Sequence, residues 1–201
     1  MLQRMTRALI LIVVITVATS IAACSDDDGE DGDGTPDPTV DSSTATATAP
    51  AATVEPFAGG RDPVEAAFDG MAPPVCTLVD VRVDEHPGYD RAVFEFTDCM
   101  PGYRVEYIDE AAGCGSGLPE AVAGSAILQV NANPAMAHND AGETTIPSLE
   151  LTPGMASMLE LKSTCDFEGY VTWAIGLSAE ADFRVIELTE PYRLVVDVQT
   201  P

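Results

Sequence analysis

Histidine, serine and cysteine are the side chains of this sequence with which catalysis could begin. The chain has two histidines, His86 and His138, and a glycine-rich stretch, Gly113–Gly117, that contains Ser116. A triad of Ser116, His86 and Asp90 would supply a nucleophile, a base and an orienting carboxylate. No pattern brings these residues together, and the chain lacks the G-x-S-x-G, H-E-x-x-H and phosphate-loop motifs. We therefore predict no catalytic residues and interpret both histidines as surface side chains.

Cysteine offers a second kind of chemistry. Cys24 lies near the N-terminus, and four further cysteines follow: Cys76, Cys99, Cys114 and Cys165. An even number of cysteines in an extracytoplasmic protein is typical of two disulfides. No pair has the C-x-x-C spacing, and only two histidines could complete a metal site, so we predict no metal site and no cofactor. Buried, reduced cysteines are the alternative.

The first 24 residues have the pattern of an exported, lipidated protein. Arg4 and Arg7 precede an apolar run, Ala8–Ala18, that is shorter than the roughly 20 residues of a membrane span. The run leads to Ile21-Ala22-Ala23-Cys24, which resembles the bacterial lipobox. This resemblance implies cleavage after residue 23, lipidation of Cys24, and anchoring at the extracytoplasmic face of the cell membrane. An ordinary secretory signal or an uncleaved anchor helix is the alternative.

Residues 24–60 have the composition of a tether. They are rich in Asp, Gly, Thr, Ala and Pro and cannot bury enough apolar surface to offset the entropy of ordering. The calcium-loop pattern D-x-[DN]-x-[DN]-G fits nowhere in their acidic start. The whole chain has a formal net charge of -24, which argues against nucleic acid and anionic lipid as partners. We predict a disordered spacer, and neutral or cationic binding partners.

Alternating apolar residues predict a β-hairpin after the tether. Leu78–Asp84 and Arg91–Thr97 place apolar side chains at every second position, and a turn-rich segment, 86–90, separates them. Folding about that turn predicts these cross-strand pairs: Val79 with Phe96, Val81 with Phe94, Val83 with Ala92, Asp84 with Arg91, and Cys76 with Cys99 on the outer face. The register favours the disulfide Cys76–Cys99 and, by elimination, Cys114–Cys165, among the three connectivities that four cysteines allow.

Seven further segments have the short apolar pattern of strands, and turn residues separate nearly all of them. They are residues 103–108, 126–131, 148–151, 157–162, 170–177, 183–188 and 193–198. Residues 63–69 would form a short helix or lead into the first strand. Many short strands without a long helical period predict an all-β sandwich of about eight to nine strands over residues 74–201. Residues 61–73 would be a lead-in segment.

Several of these strands resemble a known family. Phe183–Leu188 followed by Pro191–Val198 is similar to the closing strand pair of AMIN domains, small β-sandwiches of exported cell-envelope proteins. His86–Phe96 and Tyr103–Tyr107 resemble the AMIN-like domain of actinobacterial lipoproteins, and with Trp173–Leu177 the resemblance spans roughly residues 74–200. It implies a β-sandwich that targets a protein to the cell envelope, in part through peptidoglycan. The four late cysteines depart from the general AMIN pattern.

Three residues are candidate ligand contacts. Tyr89 and Arg91, at the predicted hairpin tip, are of types common at binding centres. The simpler interpretation has Asp90 closing the turn and Arg91 pairing with Asp84. Trp173, the only tryptophan, would be a platform for a sugar ring, but it shares a predicted strand face with two apolar residues. Packing in the core is therefore its simpler interpretation.

Three functions follow from these observations. The first is a non-catalytic binding module for a cell-wall glycan such as peptidoglycan, held to the membrane by its lipid anchor. The second is an accessory protein that assembles with other envelope proteins through an exposed sheet edge. The third is a cell-wall hydrolase without a recognisable motif. The absence of a catalytic pattern favours the first, and we expect a monomer.

Overall fold

The computed structural model describes residues 56–70 and 75–201, and within them the chain forms strands and no helix. The predicted signal peptide, the lipidation site and the tether up to residue 55 lie outside the described residues. Thirteen strands follow in chain order: β1 (Val64–Ala66), β2 (Cys76–His86), β3 (Tyr89–Thr97), β4 (Gly102–Ile108), β5 (Ala111–Ala112), β6 (Pro119–Glu120), β7 (Ala126–Asn133), β8 (Ala135–Met136), β9 (Glu150–Leu151), β10 (Met158–Phe167), β11 (Tyr170–Leu177), β12 (Phe183–Thr189) and β13 (Tyr192–Gln199).

The all-β prediction is confirmed, and the predicted number of strands is corrected to thirteen within the described ranges. All nine predicted strands are present. The four that were missed, β1, β5, β6 and β8, have only two or three residues each, too few to show an alternating pattern. In the described part of the chain there is no helix long and apolar enough to cross a membrane.

Two sheets enclose a single core in a sandwich-like arrangement. The six-stranded sheet has the order β1-β4-β7-β11-β10-β9, and the five-stranded sheet has the order β12-β13-β3-β2-β8. All neighbouring strands are antiparallel except β2 and β8. Because side chains alternate along each strand, one face of each sheet supplies the core. Its largest fully buried side chains include Phe94, Phe96, Phe183, Leu128, Trp173 and Ile175.

A β-bulge changes the register of the β2–β3 hairpin. The predicted pairs from Val81 with Phe94 to Asp84 with Arg91 are confirmed. Between Leu78 and Asp80 the register shifts by one residue, so Leu78 rather than Val79 lies opposite Phe96. The bulge also reverses which face the first residues of β2 present, because one extra residue exchanges inward and outward positions.

The bulge explains where the first disulfide lies. Cys76 is fully buried in the core, so its predicted place on the outer face is wrong. The predicted connectivity is nevertheless confirmed: the disulfides are Cys76–Cys99 and Cys114–Cys165. The first closes the open end of the β2–β3 hairpin, and the second joins the glycine-rich loop to β10.

Residues ahead of β2 are part of the sandwich. Residues 63–69 form no helix; Val64 pairs with Val105, which adds β1 to the edge of the six-stranded sheet. Further upstream, Gly60 and Phe183 exchange two backbone hydrogen bonds of 3.0 and 2.8 Å. Residues 57–60 therefore lie beside the edge strand β12, although their composition had assigned them to the tether.

Two local contacts restrict how the strands and sheets pack. Gly176 of β11 lies so close to the Ala123 carbonyl and the Val122 side chain that a Cβ atom would overlap both. The Tyr103 hydroxyl, on β4, donates a 2.9 Å hydrogen bond to Glu187 on β12 and so links the two sheets. Burial, followed by this hydrogen bond, raises the pKa of Tyr103 to about 12.

Candidate functional site

A row of charged side chains crosses the outer face of the five-stranded sheet near the β2–β3 turn. Arg184 of β12, Asp197 of β13 and Arg91 of β3 are consecutive cross-strand partners. Asp84 of β2 completes the row opposite Arg91. Since the neighbouring residue Val198 points into the core, the row lies on the opposite face, away from the six-stranded sheet.

Asp197 is the centre of this row, and its side chain is fully buried. Arg91 donates to the two carboxylate oxygens from Nε and Nη2 at 2.6 and 2.9 Å, and Arg184 donates from Nε at 2.8 Å. The hydrogen bonds to Asp197 raise the pKa of Arg91 above its usual value. Asp84 lies opposite Arg91 as predicted, but the ion pair of Arg91 is with Asp197, on the neighbouring strand on the other side, and that part of the prediction is wrong.

Aromatic rings flank both guanidinium groups. Tyr89 stacks on His86 with ring centroids 4.8 Å apart and an interplanar angle of 12°. The central guanidinium carbon of Arg184 lies 5.0 Å from the Tyr89 ring centroid and 4.8 Å from that of Phe57. That of Arg91 lies 5.3 Å from the Tyr89 ring centroid. At these separations the rings attract the cations electrostatically.

Glycines allow the chain to bring these rings together. Gly88 turns the hairpin with a φ of +88°, in the left-handed region that other residues rarely adopt. Phe57 is placed by the backbone pairing of Gly60 with Phe183. A Cβ atom at Gly59 would lie 2.5 Å from the Phe57 ring and 2.7 Å from the Phe183 carbonyl oxygen. The segment can approach β12 this closely only with glycine at that position.

An open cleft of about 460 Å³ lies beside this cluster. Its wall includes Phe57, Pro87, Tyr89, Arg184, Gln199 and Pro201. Within the described residues, the Arg184 Nη atoms have no hydrogen-bond acceptor, and the Arg184 side chain keeps 30% of its exposure. Because a guanidinium can donate five hydrogen bonds, the arrangement can bind a carboxylate that has a ring or apolar group next to it.

The structure separates the three predicted ligand contacts. Tyr89 lines the cleft, and Arg91 lies behind it on Asp197. Trp173 is 1% exposed and contacts Phe94 edge to face, so it is part of the core. Its prediction as a ligand contact is corrected, because a buried ring has no free face on which a sugar could stack.

The residues of the hypothetical triad have other partners. Asp90 is fully buried and accepts hydrogen bonds from the backbone N–H groups of Ser157 and Met158 at 2.7 and 3.0 Å, so it holds the facing sheet rather than closing the turn. Ser116 donates to the Gly113 carbonyl oxygen at 3.3 Å, and His86 stacks on Tyr89.

His138 is not simply a surface residue. Its Nδ1 atom lies 2.7 Å from Asp166 Oδ2, which ties the loop after β8 to β10. Over residues 56–70 and 75–201, no three His, Cys, Asp or Glu side chains are placed to hold a metal ion.

A family model, the AMIN-like domain, matches residues 76–200. The chain belongs to the AMIN-like domain family. The match includes β2 to β13, and therefore Tyr89, Arg91, Arg184 and Asp197, but begins after Phe57. AMIN-like domains are in general non-catalytic binding modules of the cell envelope, so this domain functions outside the cytoplasm. No curated protein and no solved structure matches the chain.

Sequence reasoning missed three residues of this site, Asp197, Phe57 and Arg184. Asp197 carried a signal, because it is the one charged residue in the otherwise apolar run 194–198. Phe57 carried another, as the only aromatic residue in the segment 24–60. Arg184 had none, since an arginine at an outward position of an edge strand is ordinary.

Proposed function

We propose that this protein is a lipid-anchored, non-catalytic module that binds peptidoglycan at the outer face of the cell membrane. The cleft at the β2–β3 turn supports this proposal. Arg184 there lies between two aromatic rings, Tyr89 and Phe57, and its Nη donors have no acceptor in the part of the chain that the structure describes. Family membership supports the general role, because AMIN domains bind cell-wall components.

The chemistry of the cleft suits peptidoglycan in particular. That polymer joins sugar rings to short peptides with free carboxylates. A peptide carboxylate would accept hydrogen bonds from the Arg184 Nη atoms, while a sugar or an apolar side chain would pack on Tyr89. The buried Asp197 holds Arg184 in place before a ligand arrives, so less side-chain entropy is lost on binding.

The charge of the whole chain restricts the ligand further. A net charge of -24 repels polyanions such as nucleic acids. The positive cleft wall is small, because Asp197 neutralises one of the two guanidinium groups. A ligand with isolated carboxylates on a mostly neutral polymer fits this distribution better than a polyphosphate does.

The anchor would place this cleft above the membrane. Residues 24–56 form the proposed tether from the lipid on Cys24 to Phe57, which itself lines the cleft. A flexible chain of that length has a root-mean-square end-to-end distance of about 30 Å. Such a tether lets the domain search the adjacent layer of wall while it stays at the membrane.

Isothermal titration calorimetry with soluble disaccharide-peptide wall fragments tests the proposal. We expect the wild-type protein to bind, and Arg184→Gln to weaken binding about tenfold or more, since a hydrogen bond to a charged group contributes about 1.5–3 kcal/mol. The substitution is made at Arg184 and not at Arg91, because in Arg184→Gln the buried Asp197 carboxylate is still neutralised by Arg91. Tyr89→Ala should also weaken binding.

Arg193→Gln is the matched control. Arg193 lies on the same sheet, and among the described residues it donates only to the Pro191 and Glu190 carbonyl oxygens, both 3.4 Å away. It should bind fragments as tightly as the wild type. Absence of wild-type binding, or equal losses for Arg184→Gln and Arg193→Gln, would contradict the proposal.

A further inference from the structure

We infer that the outer face of the six-stranded sheet holds a second binding site, for a neutral oligosaccharide. This site does not rest on the proposed function of the cleft. A cavity of about 280 Å³ lies there, bounded by the aromatic side chains Phe167 and Tyr170, by the polar side chains Gln129, Asn131 and Thr172, by the acidic residue Glu168, and by the disulfide Cys114–Cys165.

Two exposed rings form one wall of this cavity. Phe167 is 56% exposed and Tyr170 is 48% exposed, and both lie where β10 turns into β11. They are cross-strand partners. Tyr170 points outward because its neighbour Val171 belongs to the core. Phe167 points the same way because it lies directly opposite Tyr170. Large exposed apolar side chains that lie together are unusual on a folded domain and are typical of a binding surface.

Polar side chains form the floor of the cavity. Asn131 Nδ2 donates a 2.9 Å hydrogen bond to the Thr172 hydroxyl, which leaves Asn131 Oδ1 free to accept and the Thr172 hydroxyl free to donate. Gln129, two residues earlier on β7, makes no side-chain hydrogen bond with any described residue. Amides and hydroxyls that both donate and accept match the hydroxyl groups of a sugar, while aromatic rings cover its C–H face.

Charge and backbone geometry argue against other ligands. The cations Arg104 and Lys162 lie on this face. Arg104 is paired with Glu65 and with Glu106 at 2.7 Å, and Lys162 is paired with Glu120 at 2.8 Å. Among the described residues of this face, an anionic ligand would therefore meet no free positive charge, and Glu168 would repel it. The floor strands β7 and β11 are central in their sheet, so their backbone groups are engaged and a peptide cannot add there as a new strand. A neutral, hydroxyl-rich ligand meets neither obstacle.

The groove is longer than one sugar ring. A second cavity of about 330 Å³, lined by Phe68, Arg104 and Asn133, shares Asn131 with the first. Together they cross β4, β7, β11 and β10, and at about 4.8 Å between neighbouring strands this is about 14 Å. The site therefore accommodates an oligosaccharide.

The second disulfide fixes one side of this groove. Cys114–Cys165 and a 3.2 Å hydrogen bond from the Cys114 N–H to the Thr164 carbonyl hold the glycine-rich loop against β10. The loop thereby becomes a rigid wall beside Thr172. This gives the cysteine pair and the Gly113–Gly117 segment a role that needs no catalysis.

Calorimetry with the full-length protein in detergent tests the site, with neutral tetrasaccharides of glucose, mannose and N-acetylglucosamine as probes. We expect at least one probe to bind, and Tyr170→Ala and Gln129→Ala each to weaken it at least fivefold. Leu149→Ala removes another exposed apolar side chain, 53% exposed and outside the groove, and should leave the affinity unchanged. Unfolding curves that match the wild type would show that each variant is folded.

Lack of binding by all three tetrasaccharides would overturn the inference, and so would equal losses in Leu149→Ala and Tyr170→Ala. Capture of an envelope protein through Phe167 and Tyr170 without saccharide binding would also overturn it. Arg184→Gln should leave tetrasaccharide affinity unchanged. The proposed site in the groove and the proposed site in the cleft are therefore tested independently of each other.

Discussion

The Asp197→Asn substitution should destabilise the domain strongly, because Asp197 joins two strands through two arginines. Its buried carboxylate accepts three hydrogen bonds from Arg91 and Arg184. The amide keeps the shape of the side chain but removes the charge. It also places a donor where an acceptor is needed, facing a guanidinium group.

The size of the effect follows from the exposure of the three side chains. Breaking a buried ion pair by neutralising one partner costs about 3–5 kcal/mol. Asp197 is fully buried, but the Arg91 and Arg184 side chains are 25% and 30% exposed and can regain some water. We therefore expect the low end of that range, about 3 kcal/mol. For a domain of this size such a loss lowers the melting temperature by roughly 10 °C.

Urea unfolding followed by tryptophan fluorescence measures this loss directly. Trp173 is the only tryptophan and is buried in the core, so its emission reports global unfolding. The m-value should stay constant, which would show that the variant loses stability and not compactness. Asp84→Asn is the matched control, because Asp84 lies in the same cross-strand row but is exposed. It should change stability by less than about 0.5 kcal/mol.

The two variants together can refute the reasoning. Equal losses of stability for Asp197→Asn and Asp84→Asn would mean that the positive charge of Arg91 is balanced by the whole row of charged residues and not by the Asp197 carboxylate alone. A loss below about 1 kcal/mol in Asp197→Asn would mean that the two arginines do not depend on a buried charge.

Three further predictions concern the core and the link between the sheets. Gly176→Ala should lower the free energy of unfolding by about 1–3 kcal/mol, because the added Cβ atom overpacks the site. Gly60→Ala has open space around its Cβ position and should leave stability unchanged. Equal unfolding midpoints for the two variants would contradict this. Replacing Cys76 and Cys99 together by Ala opens a loop of sequence separation 23 and should lower the free energy of unfolding by about 3 kcal/mol in urea. Reduced wild type should lose more than this variant, because reduction also opens Cys114–Cys165; a loss below about 1 kcal/mol in the variant would contradict the loop-entropy account. The pKa of Tyr103 is raised from 10.0 to about 12 in the folded state, so its contribution to the free energy of unfolding is complete below pH 10 and should be lost as the pH rises to 12. Tyr103→Phe should flatten this fall in stability. An unchanged pH profile would refute the assignment.

Local patterns were sufficient for the strands but not for their exact pairing. The alternation in 170–177 predicted β11 to the residue, and the turn-rich segment 86–90 set the hairpin register from Asp80 onward. The bulge at Val79 carried no sequence signal, because valine fits inward and outward positions equally well. A correct disulfide was thus predicted from a register that fails at Leu78, since Cys76 and Cys99 stay close at the open end in either register.

The sequence by itself determined the fold class and the family, because both depend on residue types at short, regular spacings. It favoured the cysteine pairing that the structure has, among the three that four cysteines allow. Only the tertiary structure decided the partner of Arg91. Asp197 is 106 residues away and reaches it because β13 lies between β12 and β3. Strand order also brought Phe57 to Arg184, and it placed Tyr170 and Gln129 on one face. Such contacts depend on which strands become neighbours, and that is set by packing of the whole core and not by any local pattern.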